Sequence, residues 1–359
     1  MRPPQFGRNR LPSAVDARSA RRGRARRVAL VLGLFLATPI LGLAGPVRQP
    51  HPAAPIFGVA EEVRLPPLPI VGGGRHHRAR FYSDSSFWNS VIPSNAAVDP
   101  NSFALVQAAL VAYRSGANFA DTDTWGIPIV FAHDGDKTYD IGCTDYDCGT
   151  KVSFRIPAGA KANKGSDHHL VVIDGTRELD MFNAHRNVVN ATWSASARYV
   201  TDAYGWGAIC SQGNHCNGAV ASGFSAFGGI PRPEDFARDV IPHALTITTP
   251  RTRSGFIACP ATHTDGTTSS TSALPEGARL QLDPSFNVAA QSWPTWMKVI
   301  AKTLQVYGAY VSDTGGSLAI RGEADLNRQG AWQAAKIPEG ASLTALPWER
   351  MRVLRLTRC

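Results

Sequence analysis

The stretch IPHALTITTPRTRSGFIACPATH, residues 241–263, reads as two β-prone arms around a polar turn at Arg251-Thr252-Arg253-Ser254-Gly255. β-Branched and aromatic residues recur in both arms, and the break contains Gly with no helical period. The pattern predicts a β-hairpin. With Thr249 paired to Phe256, antiparallel register sets His243 opposite Thr262 and brings His243 and His263 together at the open end. Imidazoles that converge in this way are neutral near pH 7 and serve as general base, general acid or metal ligand.

Outward from this stretch, short apolar runs separated by turn clusters continue in both directions. They occupy 127–132, 151–156, 168–174, 178–184 and 190–200 before it, and 278–283, 309–312, 317–321 and 352–356 after it. This spacing predicts a mainly β protein, an antiparallel β-sandwich of jelly-roll type with a few peripheral helices. One helix is expected after Asp99-Pro100, with Asp as cap and Pro in the first turn. Another is expected from Trp293 to Tyr307, where Trp296, Val299, Ile300, Leu304 and Tyr307 form an apolar stripe, Ser292 caps and Gly308 stops the helix. Within 168–174, alternation sets His169, Val171 and Ile173 on one side and Leu170 and Val172 on the other, so both faces are apolar and the strand is central.

The 359-residue chain has a formal charge of +9, but residues 1–27 hold nine Arg against the single acid Asp16. Almost all of the excess therefore sits in that Arg-rich region, and the nearly neutral remainder lacks the electrostatic footprint of a nucleic-acid binder. Residues 28–47 carry no charge and are just long enough to span a bilayer core of about 30 Å. Pro39 and the small residues Gly42, Ala44 and Gly45 fit a signal-peptide core better than a retained anchor. Either way the body is exported, secreted or anchored to the outer face of the cytoplasmic membrane. A Pro- and Gly-rich linker over 48–80 follows, and 81–359 is expected to form a single β-rich domain. The six cysteines agree with export, because proximity suggests the pairs Cys143–Cys148, Cys210–Cys216 and Cys259–Cys359.

The segments SDHHLVVID (166–174), IPHAL (241–245), PATH (260–263), GARLQL (277–282) and YGAYVSD (307–313) together resemble a family of exported bacterial β-rich proteins that carries no named activity. The likeness covers roughly residues 84 to 325. It implies a secreted bacterial protein with His169, His243, His263, Arg279 and Asp313 as its recurring polar positions.

Two reaction classes suit an exported protein of this kind acting on a polysaccharide or cell-wall glycan. A polysaccharide lyase needs a base for the proton α to a uronate carboxyl, a cation for the developing charge and an acid for the leaving oxygen. His169 or His243, Arg279, and Tyr307 or Tyr310 would fill those roles. A glycoside hydrolase needs two carboxylates, and Asp174, Asp180 and Asp313 are available, although no spacing singles out a pair. A zinc ion held by His169, His243 and His263, with water in the fourth position, is chemically sound. The H-x-x-x-H or H-x-H spacing that would fix it is missing, so no cofactor is expected. Taken singly, a histidine on an apolar strand is by default a hydrogen-bonded core residue. The non-enzymatic alternative is a cell-surface glycan-binding module, in which Trp88, Trp125, Tyr204 and Trp206 stack on sugar faces.

Overall fold

The computed structural model describes residues 80–119, 122–146, 148–207 and 218–359. The Arg-rich segment, the apolar run, all but the last residue of the linker and the Cys210–Cys216 pair lie outside them. In chain order the strands are β1 (Asn118–Phe119), β2 (Ile129–Phe131), β3 (Thr138–Cys143), β4 (Val152–Arg155), β5 (Leu170–Asp174), β6 (Arg177–Phe182) and β7 (His185–Asn187). They continue with β8 (Thr192–Ala195), β9 (Ala197–Asp202), β10 (Leu245–Thr249), β11 (Arg279–Leu282), β12 (Ala309–Thr314), β13 (Ala319–Ile320) and β14 (Met351–Val353). The α-helices are α1 (Ser102–Ala109), α2 (Pro233–Ala237), α3 (Thr295–Val306) and α4 (Ala331–Ala334).

The 241–263 stretch does not fold as a hairpin. Its first arm is the strand β10, buried at every position, and a strand of that kind needs neighbours on both sides and both faces. β10 takes β12 as a parallel partner, with Leu245 beside Ala309, and β13 as an antiparallel one, with Ile247 beside Ile320. The second arm, 256–263, contributes no strand. β12 and β13 lie on either side of β10 and do not pair with each other.

Among the described residues the strands form three sheets, in the orders β1-β13-β10-β12-β11-β14, β2-β5-β6-β9 and β4-β3-β8-β7, and none of these closes into a barrel. All three mix parallel and antiparallel pairs. β1 with β13, β2 with β5, β3 with β8 and β10 with β12 run parallel, which corrects the purely antiparallel expectation. Parallel neighbours need long crossovers, and the chain supplies them by running between sheets. The expected single strand 190–200 is broken at Ser196, so that β8 joins the third sheet and β9 the second.

Hydrophobic residues fill the layers between sheets. Leu245, Ile247, Leu280, Val311 and Ile320 of the six-stranded sheet meet Leu105 and Val106 of α1 and Ile300 and Leu304 of α3 in one core. On the sheet's other side, Tyr310 joins Ile129, Val171 and Ile173 of the second sheet in another core, together with Trp88 and Phe224. Leu170, Val172, Leu179 and Met181 turn the opposite way and meet Ile141, Phe154 and Trp193 of the third sheet. β5 therefore buries alternate residues in two separate cores, as its doubly apolar sequence requires. α3 ends where Gly308 enters the left-handed region with φ +72° and returns its amide to the Thr303 carbonyl at 3.0 Å.

Cys143–Cys148 and Cys259–Cys359 are both disulfide-bonded, closing separations of 5 and 100 residues. Beside the longer link, Ala258 and Arg358 form a β-bridge. Cross-linking a loop of that length removes far more freedom from the unfolded chain than the short link does. Replacing Cys259 and Cys359 together by Ser is expected to cost about 2–5 kcal/mol of unfolding free energy in urea titrations. The matching change at Cys143 and Cys148 is expected to cost less.

Candidate functional site

His169, His263 and Asp313 come together at a cleft of about 510 Å³, whose walls also include Asp167, Asp265, Tyr146, Phe182 and Tyr199. Each arrives from a different element. His169 stands directly before β5, Phe182 ends β6, Tyr199 lies in β9, and Asp313 and Thr314 end β12. His263 and Asp265 come from the irregular segment that replaces the expected second hairpin arm. The cleft thus opens where the end of β12 in the six-stranded sheet meets β5, β6 and β9 of the second sheet.

His169 is positioned through its backbone. Its amide donates to Asn163 Oδ1 at 2.9 Å, and its carbonyl accepts from the Asn163 amide at 3.0 Å. The side chain is 2 % exposed, and its Nδ1 has no hydrogen-bond partner. Burial, reinforced by the Arg321 guanidinium, holds this imidazole well below its ordinary range, with Asp167 opposing them. At neutral pH His169 is therefore uncharged. Asp313 accepts from Arg321 Nη2 at 2.5 Å. Burial pushes the Asp313 carboxyl up to about 6, against the pull of Arg321 and with the help of the Asp265 and Asp167 charges.

Behind this wall runs a row of oxygens. Thr314 Oγ1 donates to Asp265 Oδ1 at 2.6 Å, the Thr314 and Thr252 hydroxyls are hydrogen-bonded, and Thr252 Oγ1 lies 3.3 Å from Glu276 Oε1. Glu276 is fully buried, and burial together with the neighbouring Asp265 carboxyl pushes it up to about 10, so it keeps its proton at neutral pH. Gly277 fixes this approach. Its φ is +85°, and a Cβ there would stand 1.7 Å from the Ala258 carbonyl oxygen, so only glycine fits.

A second cavity of about 670 Å³ shares Asp167 and Thr314 with the first and adds Trp125, Ser166 and Arg321. Its Trp125 is 42 % exposed, and Tyr146 in the first cavity is 58 % exposed. The two cavities together make an extended groove with an aromatic ring toward each side and the Asp313–Arg321 pair between. A third cavity of similar size, over Asp123 and Lys164, brings no histidine or aromatic ring, and those two side chains pair with each other at 2.6 Å.

The other expected site residues are elsewhere. His243 lines a small separate cavity beside Arg232, Trp88 and Phe81, with Nε2 4.0 Å from Asp235 and Nδ1 2.8 Å from the Ala244 carbonyl. It does not meet His263, because the hairpin that would have joined them is absent, and a zinc ion shared by His169, His243 and His263 is ruled out by the same separation. Arg279 is occupied in holding the chain together: Nη2 donates to the Tyr307 carbonyl at 2.8 Å and to the Ser90 carbonyl, and the guanidinium lies 5.2 Å from the Tyr310 ring. Tyr307 and Tyr310 are core residues, 2 % and 4 % exposed. A lyase built on Arg279 and either tyrosine therefore has neither its cation nor its acid in the cleft. Asp174 pairs with Arg155 on the far side of β5.

Asp167, Asp265, Glu276, Thr314 and Arg321 are the residues that sequence reasoning missed. Asp167 stood next to the noted histidines, and Arg321 ended an expected strand. Glu276 sits in Pro275-Glu276-Gly277, which is indistinguishable from a solvated turn. Comparison with protein-family models, curated proteins and solved structures gives no match. The chemistry of the groove stands on its own residues.

A second pair of carboxyls lies under the cleft. Glu178 and Asp180 share one face of β6 and are both fully buried. Tyr82 and Ser225 donate to Glu178, at 2.9 Å for Tyr82, and the Ala219 and Ala226 amides donate to Asp180 Oδ2 at 3.1 and 2.7 Å. Burial raises both, and Asp180 raises Glu178 further. Glu276, Asp313 and Glu323, the last pushed by burial to about 7, follow the same direction. A raised carboxyl means that the folded protein keeps protons which the unfolded chain releases above about pH 4.5. That stability is complete below the unfolded value and is lost as pH rises through the folded one. His169 and His243 are lowered by burial and act in the opposite sense below about pH 6.5, but they are outweighed by the five carboxyls. The urea midpoint is expected to fall steadily from about pH 5 to pH 8, and Glu178→Gln to flatten the fall. A midpoint that rises over this range would mean that these groups are ionised in the folded state.

Proposed function

We propose that the protein is an exported enzyme that hydrolyses a glycosidic bond in an extracellular polysaccharide, by acid–base chemistry in the groove. The observation that carries this reading is the position of Asp313, a carboxyl raised to about 6 in the middle of a groove whose two lobes of about 510 and 670 Å³ share Asp167. Glycoside hydrolysis needs a carboxyl that gives up a proton and a second one across the bond, and Asp313 and Asp167 are two carboxyls of this groove. Asp313 donates its proton to the leaving glycosidic oxygen. Asp167, as carboxylate, takes the proton of the water that attacks the anomeric carbon, and the carbon–oxygen bond breaks. Arg321 then stabilises the Asp313 carboxylate that remains. His169 Nδ1, with no protein partner, is free to hold a sugar hydroxyl.

An extended groove suits a polymer, and Tyr146 and Trp125 offer exposed faces on which sugar rings stack. The two four-stranded sheets, which share one core, are read as a β-sandwich that carries the groove at one end. Export is supported by the two disulfides and by the Arg-rich start followed by an apolar run. Hydrolysis is favoured over β-elimination because Arg279, Tyr307 and Tyr310 are held away from the groove.

The full chain is to be incubated with a panel of polysaccharides while reducing ends and unsaturated-product absorbance are followed separately. Reducing ends without unsaturated product are expected, with the rate falling as pH rises through about 6, where Asp313 loses its proton. Asp313→Asn is expected to lower kcat by about 100-fold or more while leaving retention on a glycan column nearly unchanged. Unsaturated product would establish elimination instead, and retention without any product would establish a binding module.

A further inference from the structure

The charge of the groove points to the class of glycan, an inference that rests on the hydrolase reading above. Asp167, Asp265 and Asp313 line the groove, whereas Arg321, the only Lys or Arg among its described lining residues, is already committed to Asp313. His169 adds no charge to offset them, since burial keeps it neutral, and its Nδ1, in a side chain 2 % exposed, is left without a protein partner at the cleft wall. A buried polar atom in that condition costs free energy unless a ligand satisfies it. Among the described residues, no three ligating side chains are grouped so as to hold a metal ion. The carboxyls are instead distributed along the groove, Asp167 common to both lobes and Asp265 in one, which matches a positive charge repeated along a polymer.

We propose that the groove takes a cationic aminoglycan, a polymer of hexosamine units whose amino groups are free. Each ammonium meets a carboxylate of the groove wall, and the sugar faces meet Tyr146 and Trp125, where an ammonium next to the ring adds to stacking. A uronate polymer would bring like charge against Asp167 and Asp265 and is disfavoured by the same geometry. An N-acetylated polymer keeps the stacking and loses the ion pairs. Specificity therefore comes from Asp167 and Asp265, and bond cleavage from the Asp313 and Asp167 pair.

The test compares four oligomers on the full chain, at low and high salt: fully deacetylated glucosamine, its N-acetylated counterpart, a uronate oligomer and a lysine oligomer. Affinity is read by calorimetry and cleavage by reducing ends. The deacetylated oligomer is expected to bind about 5-fold or more tightly than the acetylated one at low salt, and to be the better substrate. That advantage is expected to shrink at high salt, as screened ion pairs require. Asp265→Asn is expected to narrow the preference, and Asp265→Glu to retain it. Equal binding of the acetylated oligomer, or preference for the uronate, would overturn the aminoglycan assignment while leaving the hydrolase reading intact, provided that reducing ends appear. Lysine oligomers bound as tightly as the sugar would overturn it in favour of a basic peptide. Binding and cleavage of none of the four, with none of the wider polysaccharide panel turned over, would overturn both readings.

Discussion

β5 is apolar on both faces, and the rest of the architecture depends on covering it twice. Val171 and Ile173 go into one core and Leu170 and Val172 into another. Each of these side chains is worth about 1.5–3 kcal/mol when removed from water, so neither face can be left open. A sheet covered on both sides forces a layered protein, with the six-stranded sheet on one side of β5 and the third sheet on the other. The groove lies where β12 runs out at Thr314 and β5 has not yet begun at His169.

Much of this was legible in the chain, and the exceptions have physical reasons. The strands β2, β4, β5, β6, β11 and β12 fall on apolar runs that alternation marks plainly, as does α3. Pairing was not legible, because the sequence of a strand records how deeply it is buried but not which neighbour buries it. β10 shows the difference: its five buried residues suit a hairpin arm and a central strand equally, and the choice was made by β12 and β13, some 60 to 70 residues away. β3, Thr138–Cys143, was missed because its buried Tyr139 and Ile141 alternate with Asp140 and Gly142, and a Thr-Tyr-Asp run looks like a loop.

The candidate site divides in the same way. His169, His263 and Asp313 stand together, while His243 lies in another cavity because the hairpin register that would join it to His263 does not form. The acidic partners were hidden for a different reason. Asp167, Asp265 and Glu276 lie in segments rich in Ser, Thr, Gly and Pro, where acids are ordinarily solvated, and only the fold reveals that Glu276 is buried. Buried carboxyls are costly unless they are paired, hydrogen-bonded or protonated. Glu178 and Asp180 meet that cost through hydrogen bonds, Glu276 by keeping its proton and Glu323 through Arg328.

The Cys259–Cys359 link has a consequence for how the chain meets a protease. It encloses Asp265, Glu276, Asp313 and Arg321 in one covalent loop, while Asp167 and His169 lie before it. A single cut anywhere within that loop severs the backbone without separating the pieces, since both remain joined through sulfur and through the β-bridge beside it. The two halves of the groove are thus held in register by side chains as well as by the main chain, and a nicked molecule keeps every residue of the groove.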